Sequence, residues 1–186
     1  VIVRPTALNE RRFALDPSGS HTWQPIAPVA RIDVQIDKPS WCWQGDAYLD
    51  TNAGERPLEA DFRAWHWSRD NVDGSTGITY AVDLVDGSER HLALSFDAAG
   101  KCEELEMPPL VDLPGTGWGI ARRASSYAVP TVERTLEDTP FYARSILSVD
   151  AADGPKRHVM HESLSMQRFV KPWVRCLLPF RMPRIA

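Results

Sequence analysis

In the stretch Trp41-Cys42-Trp43-Gln44-Gly45-Asp46-Ala47-Tyr48-Leu49-Asp50-Thr51-Asn52 the side chains sort with a period of two. Trp41, Trp43, Gly45, Ala47 and Leu49 share one face of a strand. Cys42, Gln44, Asp46, Tyr48 and Asp50 share the other. A face that ends in a phenol and a carboxylate two residues apart suits the wall of a reaction cavity. It equally suits the wet outer face of a half-buried strand, because such strands alternate in this way.

Outward from this stretch the same period recurs. Ile32, Val34 and Ile36 alternate with Arg31, Asp33 and Gln35, so 29–36 is read as a strand with one wet face, and Asp37-Lys38-Pro39-Ser40 as the turn after it. Segments 1–3 and 13–15 are read as short strands around the turn cluster Asp16-Pro17-Ser18-Gly19, and 51–57 as a polar loop. Further on, 65–68, 78–85, 90–96, 102–105, 118–124, 132–136, 141–149 and 158–163 read as strands. Asp86-Gly87 and Ala98-Ala99-Gly100 mark hairpins, and Ala152-Asp153-Gly154 marks a turn. Roughly ten strands at meander spacing favour an all-β chain, an antiparallel barrel or sandwich, over any α/β plan. Fifteen Pro and eleven Gly, spread evenly, agree with many turns and few long helices. One domain over residues 1–186 is the expectation at this length.

From Ser165 to Ala186 there is no acidic residue, while Arg168, Lys171, Arg175, Arg181 and Arg184 alternate with Phe169, Trp173, Leu177, Leu178, Phe180 and Met182. Pro172 can open a short helix and Pro179 would stop it. This basic, amphipathic tail (164–186) can rest on an anionic lipid surface or pack across one end of the β-structure. Elsewhere charge is unremarkable. A net charge of −4 argues against nucleic acid as a partner. No apolar run approaches the roughly 18 residues of a membrane-spanning helix. Cys42, Cys102 and Cys176 are three, far apart, which is the usage of a reducing compartment. The first residue is Val1, so the chain is read as a processed form or the carboxyl-terminal part of something longer.

Two pairs carry candidate chemistry. His21 and Trp23 share a face if that piece is extended, as do Tyr48 and Asp50, and the two pairs could converge. A packing role for each pair is the bland alternative. His158 and His161 invite a metal assignment, but three residues apart on a strand they point to opposite faces, so no metal is expected. His66 and His91 read as surface or satisfied core residues. The glycine-rich run 115–119 precedes a strand and not a helix, which removes a phosphate cradle, and nothing suggests a covalent nucleophile.

With these residues in view the chain resembles the carboxyl-terminal part of the bacterial carotenoid 1,2-hydratases, or hydroxyneurosporene synthases. The resemblance rests on Phe13-Ala14-Leu15-Asp16, Trp23 to Pro28, Gly45 to Asn52, Trp67-Ser68-Arg69, Arg134 to Arg144, His161-Glu162-Ser163-Leu164 and Leu178 to Pro183. It implies a lipocalin-like antiparallel β-barrel with a short carboxyl-terminal helix, and an upstream region of the same protein as a partner. It also implies cofactor-independent addition of water to the terminal C1–C2 double bond of an acyclic carotenoid such as neurosporene or lycopene. By motif the catalytic positions fall on His21, Trp23, Tyr48 and Asp50. One departure is His66, where an acidic residue is expected before Trp67. The implied location is the bacterial cytoplasm, peripheral on the inner, photosynthetic membrane.

Markovnikov hydration of a trisubstituted alkene needs a strong acid at C2 and support for a tertiary cation at C1. Asp50, held protonated by burial beside Trp23 and Tyr48, is the expected acid. Trp23 offers a π face worth about 2 kcal/mol to a desolvated cation. His21 and Tyr48 are expected to position water and take up its proton. A lipocalin-like module that only binds a hydrophobic ligand, and a related enzyme that cyclises polyenes or terpenoids, are the other readings of the same residues.

Overall fold

The computed structural model describes residues 1–150 and 156–180. The turn expected at Ala152-Asp153-Gly154 and the basic residues Arg181 and Arg184 lie outside them. The described chain is mostly β and antiparallel, as expected, and falls into two compact units.

The first unit comprises Val1–Arg56, Asn71–Gly77 and Leu94–Glu104. It is built on β1 (Ile2–Pro5), β2 (Phe13–Ala14), β3 (His21–Ile36) and β4 (Trp41–Gly54). The spine is β3, sixteen residues long, where only 29–36 was expected to be extended. Pro25 and Pro28 suggest an interruption, but they are accommodated within the strand. Pairing with β4 skips from Gln24↔Thr51 to Ala27↔Leu49 and then to Ala30↔Ala47. Two residues of β3 therefore face one of β4 at each step, Pro25-Ile26 opposite Asp50 and Pro28-Val29 opposite Tyr48. These are β-bulges, where a proline's missing N–H costs the ladder nothing.

A bulge displaces carbonyls that still need donors. Asn9 supplies two, its Nδ2 to Pro25 O (3.0 Å) and its backbone N to Ile26 O (2.9 Å). The Thr76 hydroxyl donates to Pro28 O (2.9 Å), and Thr6 donates to Val29 O from its backbone N (3.0 Å) and its hydroxyl (2.7 Å). β1 and β2 both pair with β3, and β4 pairs with β3 along its whole length, so β4 occupies one edge of β3 and the two short strands share the other.

The remaining elements are α1 (Leu58–Asp61), β5 (Phe62–Val72), β6 (Ser75–Leu84), β7 (Glu89–Phe96), β8 (Cys102–Glu104), β9 (Leu110–Leu113), β10 (Arg122–Ser125), β11 (Thr131–Asp138), β12 (Tyr142–Val149), β13 (Arg157–Ser165), α2 (Met166–Phe169) and α3 (Pro172–Leu177). A seven-stranded sheet runs β11-β12-β13-β5-β6-β7-β8, and β9 pairs with β10. Both expected hairpins form, with Gly87 and Gly100 at φ of 92° and 82°, the left-handed backbone these turns require. The strand expected over 118–124 is confined to β10, because 115–119 folds as a loop. Gly117 there faces the Asp138 carboxylate, which accepts the Trp118 N–H at 3.2 Å. The expected short carboxyl-terminal helix is α3, opened by Pro172.

The second unit, Pro57–Asp70, Ile78–Ala93 and Leu105–Ala186, buries an unusual set of polar groups. Ser163 Oγ lies 2.9 Å from His66 Nδ1 and 3.0 Å from His161 Nε2, and Ser68 Oγ lies 2.9 Å from His161 Nδ1. The two imidazoles are parallel, 6.2 Å apart. Arg122 donates to Ser145 Oγ (2.9 Å), Thr135 Oγ1 (3.0 Å) and Pro114 O (2.7 Å). His66 is thus a satisfied core residue. His161 is buried while His158 points outward to Glu133, as expected for opposite faces of a strand. Arg123 makes two 2.7 Å bonds to Asp83.

Burial pushes His66 and His161 down to about 3, helped by Arg123 at the first and by His66 and Arg122 at the second. The unfolded chain takes up protons at these two rings near the ordinary 6.5, and the folded chain does not. Stability is therefore complete above that value and is lost as pH falls from it toward 3, at about 1.4 kcal/mol per pH unit for each histidine. Denaturant titrations stepped down from neutral pH should show this steep loss. A profile flat through that window would mean that the rings are charged in the folded state.

Candidate active site

Three of the four expected residues are brought into direct contact. Asp50 Oδ2 accepts from Trp23 Nε1 at 2.7 Å and from the Tyr48 hydroxyl at 3.0 Å. Trp23 pairs with Asn52 in the ladder, so Asp50 is its diagonal neighbour on the same face, within reach of a long side chain. The bulges opposite Tyr48 and Asp50 set the local path of the ladder there. Trp23 is fully buried, with its ring 5.8 Å from that of Phe13, its partner across the β2–β3 pairing. Tyr48 and Asp50 are half-buried.

His21 stands one ladder step beyond Trp23 on the same face, opposite Gly54, and is buried. Its imidazole occupies the place of the side chain that residue 54 lacks, since a Cβ there would lie 2.3 Å from His21 Nδ1. The start of the strand is fixed by Asp16. Its Oδ1 accepts the His21 N–H at 2.7 Å, and its Oδ2 accepts from the backbone of Ser18 (3.0 Å), the backbone of Ser20 (3.3 Å) and the Ser18 hydroxyl. Burial raises the Asp16 carboxyl, but these donors outweigh it and hold the group below its usual range.

The polar face of β4 is less of a wall than its alternation suggests. Cys42, Gln44 and Asp46 are exposed, and Asp46 pairs with Arg31 at 2.6 Å. Both faces of the strand's first half are open, with Trp41 and Trp43 exposed on one and Cys42 and Gln44 on the other. A small recess in this unit, of about 80 Å³ between Val29, Asp46, Asn71 and Thr76, contains none of the four candidates. Sequence reasoning missed Asp16 and Gly54. The first sat in a recognised turn cluster whose aspartate is a typical acceptor of following N–H groups. The second was assigned to a loop, whereas β4 runs on to include it.

The arrangement can do acid chemistry: one carboxyl, oriented by two donors, on a sheet face that also carries an imidazole. Comparison with known proteins gives the family. The family model described as carotenoid hydratase CrtC matches residues 1–186, the whole chain. The chain belongs to this family. It is 48% identical over 187 residues to an acyclic carotenoid 1,2-hydratase of Thiocapsa roseopersicina and 42% identical over 189 residues to that of Rubrivivax gelatinosus. Those matches take in 99% and 100% of this chain but 46% of each relative, so the chain spans about half their length. The Rhodobacter capsulatus relative is 34% identical, with 66% of its length covered. Among solved structures, a Nitrosomonas europaea protein crystallised under the designation ATTH superposes with a TM-score of 0.56 at 13% identity, over 88% of this chain and 58% of that one. It supports the β fold expected of a CrtC chain.

Gly54→Ala would drive a methyl group into the buried His21 ring. We expect a loss of about 1–3 kcal/mol of stability, as for other overpacked sites. Thermal unfolding of the variant beside the parent measures it, and an unchanged midpoint would show that the imidazole is free to move aside.

Proposed function

We propose that this chain carries the hydration centre of an acyclic carotenoid 1,2-hydratase, with Asp50 as the acid. The observation that carries the reading is the convergence of the Trp23 indole N–H and the Tyr48 hydroxyl on one oxygen of Asp50. With Oδ2 occupied by two donors, Oδ1 is the oxygen to hold the proton. Both bonds strengthen as negative charge develops on the carboxyl during proton transfer to the alkene.

The proton goes to C2 of the terminal double bond, whose π electrons form the new C–H bond and leave a tertiary cation at C1. The carboxylate left on Asp50 is the nearest counter-charge to that cation. Water then adds through its oxygen to C1 and gives up a proton, which His21 accepts and returns to Asp50, restoring the acid. The sum is alkene plus water to tertiary alcohol, with no redox change. Trp23, buried and committed through its N–H, acts by holding the acid in place. Neurosporene and lycopene, with the required trisubstituted end group, are the substrates we assign.

Asp50→Asn keeps the acceptor for both donors and removes the acid. Hydration of lycopene by the intact gene product, followed by mass analysis of the 1-hydroxy product, should fall by about 10²–10⁴-fold. Turnover near that of the parent eliminates the scheme. Trp23→Phe keeps an aromatic ring at this buried position but removes the N–H together with part of the indole. We expect about a 10–100-fold loss, the range for a hydrogen bond to a charged group, and full activity would assign Trp23 to packing alone.

A further inference from the structure

The carboxyl-terminal segment of the second unit both packs and projects. Val174 of α3 is completely buried and Met166 of α2 nearly so, which anchors the segment. Around these anchors Val170, Trp173, Leu178 and Phe180 remain exposed, with Trp173 at 48% and Phe180 at 66%. Trp173 stacks on Trp118 from the glycine-rich loop, ring centroids 6.4 Å apart and planes 24° apart, and Trp118 is itself 39% exposed. That loop is held in place by Arg168, whose Nη1 donates to Trp118 O (2.6 Å) and Gly119 O (3.0 Å). The indole pair is thus a fixed feature of the surface.

Charge separates this patch from an ordinary apolar interface. Between Ser165 and Phe180 there are three basic residues and no acidic one, in a chain whose net charge is −4. Arg175 lies over the Phe169 ring at 5.7 Å and pairs with Glu59 at 2.9 Å, so its charge is partly offset, while Lys171 is exposed. The core of a protein–protein interface is depleted in lysine. Indoles beside aliphatic side chains and basic groups are instead the composition that settles at the headgroup level of a bilayer.

We propose that the Trp118–Trp173 pair, with Val170, Lys171, Leu178 and Phe180, forms a docking surface for an anionic lipid bilayer. This rests on the hydratase reading in one respect: an acyclic carotenoid is a hydrocarbon that dissolves in the bilayer, so an enzyme acting on it gains by residing there.

The test needs no carotenoid. The intact gene product is sedimented with vesicles of phosphatidylcholine alone and of phosphatidylcholine mixed with phosphatidylglycerol. Binding should favour the anionic vesicles and weaken with added salt. Lys171→Glu should reduce it about tenfold or more, since each surface charge is worth about 1 kcal/mol. Trp173→Ser should reduce it about tenfold, the value of about 1.4 kcal/mol of lost apolar transfer. Trp41→Ser, which removes an indole 60% exposed on β4, should bind as the parent does. The proposal is overturned by equal binding to both vesicle types, by parental binding of the Lys171 and Trp173 variants, or by an equal loss in the Trp41 variant. Asp50→Asn should bind vesicles normally. If it also keeps full hydration, the active-site reading fails and this surface stands, whereas absent vesicle binding with hydration of dispersed lycopene intact has the reverse meaning.

Discussion

Two hydrogen bonds to one carboxylate oxygen hold the candidate centre together, and both depend on register. Trp23 reaches Asp50 only because β3 and β4 are paired so that positions 21, 23, 48, 50, 52 and 54 share a face. Side chains alternate, so a slip of one residue would turn every one of them to the other side. What fixes that register is not the pairing alone. The two bulges, their prolines, and the donors from Thr6, Asn9 and Thr76 that take up the displaced carbonyls make this pairing the one in which those backbone groups are satisfied. The geometry of the site is thus a product of backbone accounting several residues away.

The two units treat buried polarity differently. Around Asp50 the polar groups are half-buried and one oxygen takes two donors. Around His161 the serines and Arg122 satisfy one another in the interior, and the imidazoles stay neutral. A network closed in this way specifies how β5, β12 and β13 pair, because Ser68, Ser145, His161 and Ser163 meet only in the observed alignment. It holds structure at neutral pH at the expense of tolerance to acid.

Much of this was legible in the sequence, and the failures are instructive. Period-two alternation located β4, most of the seven-stranded sheet and both hairpins, since a pleated strand with one wet face leaves that signature. The pairs His21/Trp23 and Tyr48/Asp50 were visible as candidates, and their faces followed from the same period. Two features were hidden. The full length of β3 went unread beyond 29–36, because the bulges at Pro25 and Pro28 cannot be seen without the partner strand. Gly54 looked like loop material, because its role is to make room for His21, and room left empty has no pattern. For the first half of β4 the sequence left cavity wall and wet face equally open, since alternation tells which side chains share a face and not what covers that face.

Prolines 25 and 28 also constrain how this segment can change over generations. Each marks a point where two residues of one strand are spent against one of the other, so the count of residues between His21 and Gly54 is itself part of the design. Replacing a side chain alters one contact, whereas inserting or deleting a residue so that the paired stretch slips by one turns the acid to the opposite face. Diversification of this hairpin is therefore confined to exchanges at constant length, and any graft of it into another scaffold must carry both strands and the 6–9 segment together.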